Sequence, residues 1–239
     1  VGGIDERAAV EHDRMRIRRG ILAQADRNLL YIDEVNMLAD EIVDAILDAA
    51  AQGTYTVRRG PVSATYRARF LLIGSMNPEE GRLRPQILDR FGLRVIVQGL
   101  EKQSERLEAY RRVQSYLTNP RQMIAQFTDE VLAASEEIQA ARQRLREVTI
   151  PDTVANPAIK LVQKMGIDSL RAEITWFESA RAHTAADGRT KVTTEDLKTV
   201  APMALRLRRS PFMTEYINNQ QDEEEELGTL LKTLGRKPR

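Results

Sequence analysis

The stretch Leu29-Leu30-Tyr31-Ile32-Asp33-Glu34 decides the fold: four apolar residues in a row, closed by two adjacent carboxylates. Unbroken apolar runs this short read as strands buried on both faces, the habit of parallel sheets. Further along, Phe70-Leu71-Leu72-Ile73-Gly74 repeats the form and ends in Ser75-Met76-Asn77-Pro78. A third run, residues 94–97, follows Phe91-Gly92. Between the first two runs the spacing predicts a helix over 40–52. Ile42, Val43, Ile46, Leu47 and Ala50 share one face, Asp40 is the candidate N-cap, and Gly53 stands where a left-handed C′ glycine belongs. Residues 54–57 and 62–66 flank Arg58-Arg59-Gly60-Pro61 and predict a β-hairpin. Strand, helix and strand with an inserted hairpin is α/β architecture.

Beyond Gly99 the pattern turns helical. Ile124, Phe127, Val131, Ala134, Ile138, Ala141, Leu145 and Val148 step by threes and fours, which predicts one long amphipathic helix stopped by Pro151. A second helix is expected from Ser169, capped by Asp168, to Gly188. A third follows Thr193, whose partner Asp196 three positions on resembles a capping box. The reading is therefore an α/β core over 1–99, an all-α domain over 100–212, and a solvated acidic tail over 213–239 that contains Asp222 and Glu223 to Glu226. The boundary is placed at 99–101.

Composition excludes several classes of function. The 36 basic and 35 acidic residues give a net charge of +1, so no global charge points to nucleic acid or a membrane surface. The absence of cysteine removes disulfides, thiolate zinc sites and thiol nucleophiles. His12 and His183 are too few for a histidine metal cluster. No apolar run approaches the ~20 residues of a membrane span, and no signal-peptide pattern opens the chain; a cytoplasmic location is expected.

Four places carry candidate chemistry. Ligands of parallel sheets sit at the carboxyl ends of the strands, where Asp33 and Glu34 would face a crevice. There one acid suits a Mg²⁺-phosphate unit and its neighbour suits a base that orients water. The plainer reading of the pair is the start of a surface loop. Asn77 ends the next strand, where its amide could reach the same water or a terminal phosphate; an Asn before Pro is equally ordinary turn chemistry. In Leu83-Arg84-Pro85-Gln86-Ile87-Leu88-Asp89-Arg90-Phe91-Gly92, an arginine ahead of a strand could be presented to a neighbouring subunit's nucleotide. Its alternative is a surface salt bridge from Asp89. Arg171 opens the helix after Ser169, and helix N-termini attract phosphate; otherwise it is a surface arginine.

Taken together these segments resemble the magnesium-chelatase I-subunit family of AAA+ ATPases. Leu29-Leu-Tyr-Ile-Asp-Glu-Val-Asn-Met-Leu38 resembles its Walker B, Gly74-Ser-Met-Asn-Pro-Glu-Glu-Gly81 its sensor-1 turn, and Leu83 to Gly92 its arginine-finger segment. Ser169-Leu-Arg-Ala-Glu173 is similar to the sensor-2 helix, with Ala172 where glycine is usual. Met203-Ala-Leu-Arg-Leu-Arg-Arg209, followed by Pro211, and Val1-Gly-Gly-Ile-Asp5 extend the likeness over residues 1 to about 212.

The resemblance implies ATP with Mg²⁺ as cofactors. Asp33 would be the metal-linked, nucleotide-binding acid, Glu34 the water-activating acid and Asn77 sensor 1. Arg90 would be a finger acting in trans and Arg171 the nucleotide-binding sensor 2. The hairpin at 54–66 would be the insert before sensor 1. It also implies a homo-oligomeric ring, a hexamer, working with an AAA+/integrin-like D-type subunit and a large porphyrin-binding subunit, with no nucleic-acid partner. The activity implied is ATP hydrolysis driving metal insertion into a porphyrin held by that partner. Two alternatives stay open: a MoxR- or ComM-like remodelling ATPase, and a non-hydrolysing AAA+ scaffold.

The sequence departs from the family in one respect. A P-loop needs Gly-x-x-x-x-Gly-Lys-Ser/Thr, and none of the 13 glycines is followed by lysine. With Val1 as first residue, this predicts a piece of a longer protein whose 239 residues alone do not hydrolyse ATP; the other reading is a natural subunit without a Walker A.

Overall fold

The computed structural model describes residues 2–4, 17–81 and 83–208. The acidic run and the rest of the tail expected over 213–239 lie outside them. The chain divides into two compact units, Val1–Arg90 and Phe91–Arg239.

The first unit is α/β. Strands β1 (Gly2–Ile4) and β2 (Ile17–Arg19) pair antiparallel, and a short helix α1 (Ile21–Gln24) follows. Strand β3 (Leu29–Ile32) leads through a 3₁₀ turn, Val35–Met37, into helix α2 (Asp40–Gln52). The hairpin β4 (Thr54–Arg59) and β5 (Val62–Arg67) comes next, then β6 (Leu71–Gly74) and helix α3 (Pro85–Arg90). As the apolar runs predict, β3 and β6 pair in parallel, with Leu29 opposite Leu71 and Ile32 opposite Gly74. Their core is Leu22, Ala49 and Ala68, joined by the partly buried Leu30, Ile46, Tyr55 and Phe70.

Two expectations are corrected here. The strand pair is not covered on both faces among the described residues: Leu29, Tyr31, Leu71 and Ile73 are exposed. Alternate residues of a strand point to opposite sides, and α2 lines only the side of Leu30. Asp40 is not an N-cap either. Ala39 holds that position without a side-chain bond, and Asp40 is the first helical residue, with its carboxylate on Arg84. The helix ends as expected, because Gly53 takes φ 68° and donates its N–H to Ala49. A side chain there would be strained in backbone and pressed 3.1 Å from Arg69.

The second unit is helical: α4 (Gln103–Thr118), α5 (Pro120–Gln126), α6 (Thr128–Arg144), α7 (Asp152–Lys164), α8 (Leu170–Ala186) and α9 (Thr194–Leu205). Val162, Ala172, Trp176, Ala180, Val192, Leu197 and Ala204 form its core. Trp176 donates its indole N–H to the Leu197 carbonyl at 2.7 Å, so its polar atom is satisfied inside that core. The capping box at Thr193 is present: Asp196 Oδ2 accepts the Thr193 N–H at 2.8 Å and Thr193 Oγ1 accepts the Asp196 N–H.

Here the periodicity misled in three places. The segment 94–97 forms no strand; Arg94 donates its N–H to the Met203 carbonyl and its Nη1 to the Arg206 carbonyl, which ties this stretch to the helices. The single helix expected across 124–148 is broken at Phe127 into α5 and α6. Its stripe is buried only at the far end, where Ala141, Leu145 and Val148 meet the core, while Ile124, Val131 and Ile138 are exposed. Finally, Ser169, not Asp168, holds the N-cap position of α8.

Candidate functional site

Parallel pairing brings the ends of β3 and β6 to the same edge, and the two loops that follow them are stitched together. The Ser75 N–H donates to the Ile32 carbonyl and the Val35 N–H to the Ser75 carbonyl, both at 2.9 Å. The Ser75 hydroxyl then does two things. It donates to Asp33 Oδ1 at 2.5 Å and accepts the Glu34 N–H at 3.0 Å. Tyr31 also donates its hydroxyl to Asp33 Oδ1, at 2.9 Å. Both bonds favour the carboxylate form, so Ser75 first and Tyr31 second hold the Asp33 pKa below its ordinary 3.8. Asp33 is exposed and ionised at neutral pH, and both of its hydroxyl partners, Ser75 and Tyr31, bond to Oδ1.

Glu34 adopts φ 48° and ψ 54°, the left-handed region that non-glycine residues avoid. Such a conformation persists only where surrounding bonds enforce it, and it recurs at functional sites. The enforcing contacts are the Ser75 bonds on either side of it. Two positions on, Asn36 Nδ2 donates to the carbonyls of Asn77 at 3.2 Å and Gly81 at 3.3 Å. That amide fastens the loop after β3 to the loop after β6.

Asn77 performs the turn chemistry expected of an Asn before Pro. Its Oδ1 accepts the Glu79 N–H at 3.1 Å and caps the 3₁₀ turn Pro78–Glu80. This leaves Nδ2 as a donor without a partner among the described residues. Asp33, Glu34 and Asn77 are thus assembled at one sheet edge, all three exposed.

Arg90, the last residue of α3, reaches back to α2, where its Nη1 lies 2.7 Å from Asp48 and 3.5 Å from Asp44. The expected partner of the plainer reading, Asp89, is not the one it takes. Arg171 is exposed in the first turn of α8, in the second unit. A shallow depression of about 570 Å³, lined by Ala50, Gly53, Arg69 and Leu71 among others, lies at the opposite end of β6 from Asn77.

Sequence reasoning quoted Ser75 and Asn36 inside their motifs and gave them no role. The signal was present only as position: a hydroxyl and an amide, each beside a strand end, in loops that parallel pairing must bring together. One acidic group elsewhere invites a metal reading. His183, Asp187 and Asp196 place their ligand atoms within 4.8 Å of one another. Asp196 is already saturated by Arg189, by Thr193 and by His183, whose Nδ1 lies 2.9 Å away. A carboxylate held below its usual pKa only accepts, so that Nδ1 carries the proton. The cluster is a structural lock.

Residues 5–106 match the MCM P-loop domain family and residues 155–227 the AAA lid domain family. The magnesium-chelatase 38 kDa subunit of Chlorobaculum parvum is 39% identical over 236 residues, a stretch of 98% of this chain and 67% of the relative. The chain belongs to the magnesium-chelatase I-subunit family. A magnesium-chelatase subunit ChlI homolog of Methanocaldococcus jannaschii is 42% identical over 226 residues, covering 94% of this chain and 62% of its own length. The 38 kDa subunit of Rhodobacter capsulatus is 43% identical over 214 residues, covering 89% and 61%. The chain therefore spans about three fifths of the length of these two magnesium-chelatase relatives. A Cytophaga hutchinsonii protein of known crystal structure shares the fold, with a TM-score of 0.62 at 22% identity over 95% of this chain and 71% of that one.

Proposed function

We propose that the whole protein is the ATP-hydrolysing motor subunit of a magnesium-chelatase-type complex. It works as a ring of like subunits, expected to be a hexamer, and couples hydrolysis to metal insertion into a porphyrin bound by a separate large subunit, with a D-type AAA+ subunit as co-partner. The observation that carries this reading is the union of Asp33, Glu34 and Asn77 at the carboxyl edge of a parallel strand pair, with Ser75 bonded to Asp33 and Glu34 and Asn36 bonded to Asn77.

The donor set fits a magnesium nucleotide. Asp33 is ionised and offers hard oxygen, with both hydroxyl bonds taken on Oδ1, which suits Mg²⁺ directly or through water. Bound Mg²⁺ supplies charge neutralisation on the phosphates. Glu34 then orients and deprotonates water, in a backbone conformation that only its neighbours sustain. Asn77 donates from Nδ2 to that water or to a terminal phosphate oxygen, while its Oδ1 stays fixed in the turn. Arg90 serves the site of an adjacent subunit, and Arg171 reads the phosphate from the helical unit. A non-hydrolysing scaffold would have no use for a carboxylate held in a strained backbone beside an ionised aspartate.

The test uses the full-length gene product. Glu34→Gln is expected to retain ATP binding and lose turnover. Turnover at the unmodified rate would refute the assignment. Porphyrin metallation with a large-subunit partner decides between a chelatase motor and a remodelling ATPase.

A further inference from the structure

Helix α2 carries three carboxylates, Asp40, Asp44 and Asp48, at intervals of four, where like charges repel. Two arginines answer them, and they do so in different ways. Arg84 uses Nε on Asp40 Oδ2 at 2.7 Å and Nη2 on Asp44 Oδ2 at 3.0 Å. Its Nε–Nη2 edge, the two-pronged face that matches an oxyanion, is spent. Arg90 uses Nη1 alone, on Asp48 Oδ1 and on the other oxygen of Asp44. Its Nε–Nη2 edge makes no hydrogen bond among the described residues, and its side chain is 34% exposed. One guanidinium is a strut; the other is gripped by its far corner with the useful edge open.

We propose that Asp48, assisted by Asp44, is a positioning residue for Arg90. It holds Nη1 so that Nε and Nη2 are presented as an oriented donor pair to a triphosphate bound by another copy of the chain. The inference rests on the reading of Arg90 as the arginine that acts in trans. An unrestrained arginine must surrender rotamer freedom each time it engages. Fixing it beforehand acts on the rate of the chemical step rather than on the binding of nucleotide to its own subunit. Arg84 neutralises the shared Asp44 and secures α3 to α2, which leaves Asp48 as the carboxylate devoted to Arg90.

The experiment is steady-state ATP hydrolysis by the full-length gene product. Asp48→Asn is expected to lower kcat about tenfold to a hundredfold with KM for ATP unchanged, and Asp48→Glu to fall between it and the unmodified protein. Mixing Asp48→Asn with Glu34→Gln subunits is expected to recover turnover. In such a ring the Asp48→Asn subunit keeps its own Glu34 and receives a properly held Arg90 from its neighbour. Arg84→Ala is expected to stay within about twofold of the unmodified kcat, since strut pairs on a surface contribute little. An unmodified kcat in Asp48→Asn, with Arg90→Ala inactive, overturns the positioning role and leaves the reading of Arg90 standing. Full turnover in Arg90→Ala removes that reading and this inference with it. A loss in Asp48→Asn that mixing does not recover, or an equal loss in Arg84→Ala, assigns the network to folding and overturns the proposal.

Discussion

Ser75 Oγ lies 2.5 Å from Asp33 Oδ1, so a hydroxyl in the loop after β6 governs the acid that ends β3. It is the largest cause of that acid's lowered pKa. Ser75→Ala is expected to raise the Asp33 titration midpoint toward 3.8, followed by carboxyl carbon shifts in an acid titration. A lowered carboxyl pKa means the ionised form is favoured by folding above that pH. The alanine variant should therefore lose its Asp33 charge earlier as acid is added. An unchanged midpoint would assign the shift to Tyr31 instead.

Glu34 offers a separation of stability from activity. Its left-handed backbone costs about 1 kcal/mol for a residue with a side chain. Glu34→Gly is expected to exceed the unmodified protein in thermal stability while losing turnover. Glu34→Gln, which keeps the strain, is expected to melt with the unmodified protein. Equal melting of all three would show that the conformation carries no strain.

Asp196 secures the helical unit. It is 1% exposed and accepts from Arg189, Thr193 and His183. Asp196→Ala removes the shared acceptor of Arg189, His183 and Thr193 together with the capping box of α9, and is expected to cost about 1–2 kcal/mol, since the freed donors can reach water. The sole tryptophan, Trp176, is 3% exposed in the same core, so its fluorescence reports the unfolding. The Asp196 pKa is held far below the free value of 3.8, chiefly by Arg189. Its contribution is thus complete above that value and fades as pH falls below it. The alanine variant should accordingly show a flatter loss of stability between pH 5 and strong acid.

Arg84 provides the contrast. Its side chain is 48% exposed, and both of its ion pairs lie at the surface. Arg84→Ala is expected to cost no more than about 1 kcal/mol in chemical denaturation, with the loss shrinking further in high salt. A loss of several kcal/mol would mean that α3 depends on this single contact.

The strands and α2 were legible because their signals are local: an apolar run, a helical period, a glycine at a C′ position. The candidate acids were legible for the same reason, since polar residues at the end of an apolar run announce a strand terminus. What stayed hidden depends on partners distant in sequence. Nothing around Arg90 reveals that it will face Asp48 rather than Asp89, because helix α2 supplies the carboxylate from another part of the chain. The stripe through Ile124, Val131 and Ile138 has the period of a buried helix face, yet period alone does not say what covers it. Residues 94–97 have the composition of a strand, but a strand is defined by a neighbour, and Arg94 bonds to Met203.

The register of β3 on β6, Ile32 against Gly74, has a consequence for how this sequence can change in length. A single residue gained or lost inside either strand reverses the side on which everything after it emerges. Ser75 would then point away from Asp33, and Asn36 would no longer meet the Asn77 carbonyl. Insertions and deletions should therefore be tolerated at the exposed Gly60-Pro61 tip of the hairpin and rejected in both strands. A scan of one-codon insertions, selected for the folded protein, would display that boundary directly.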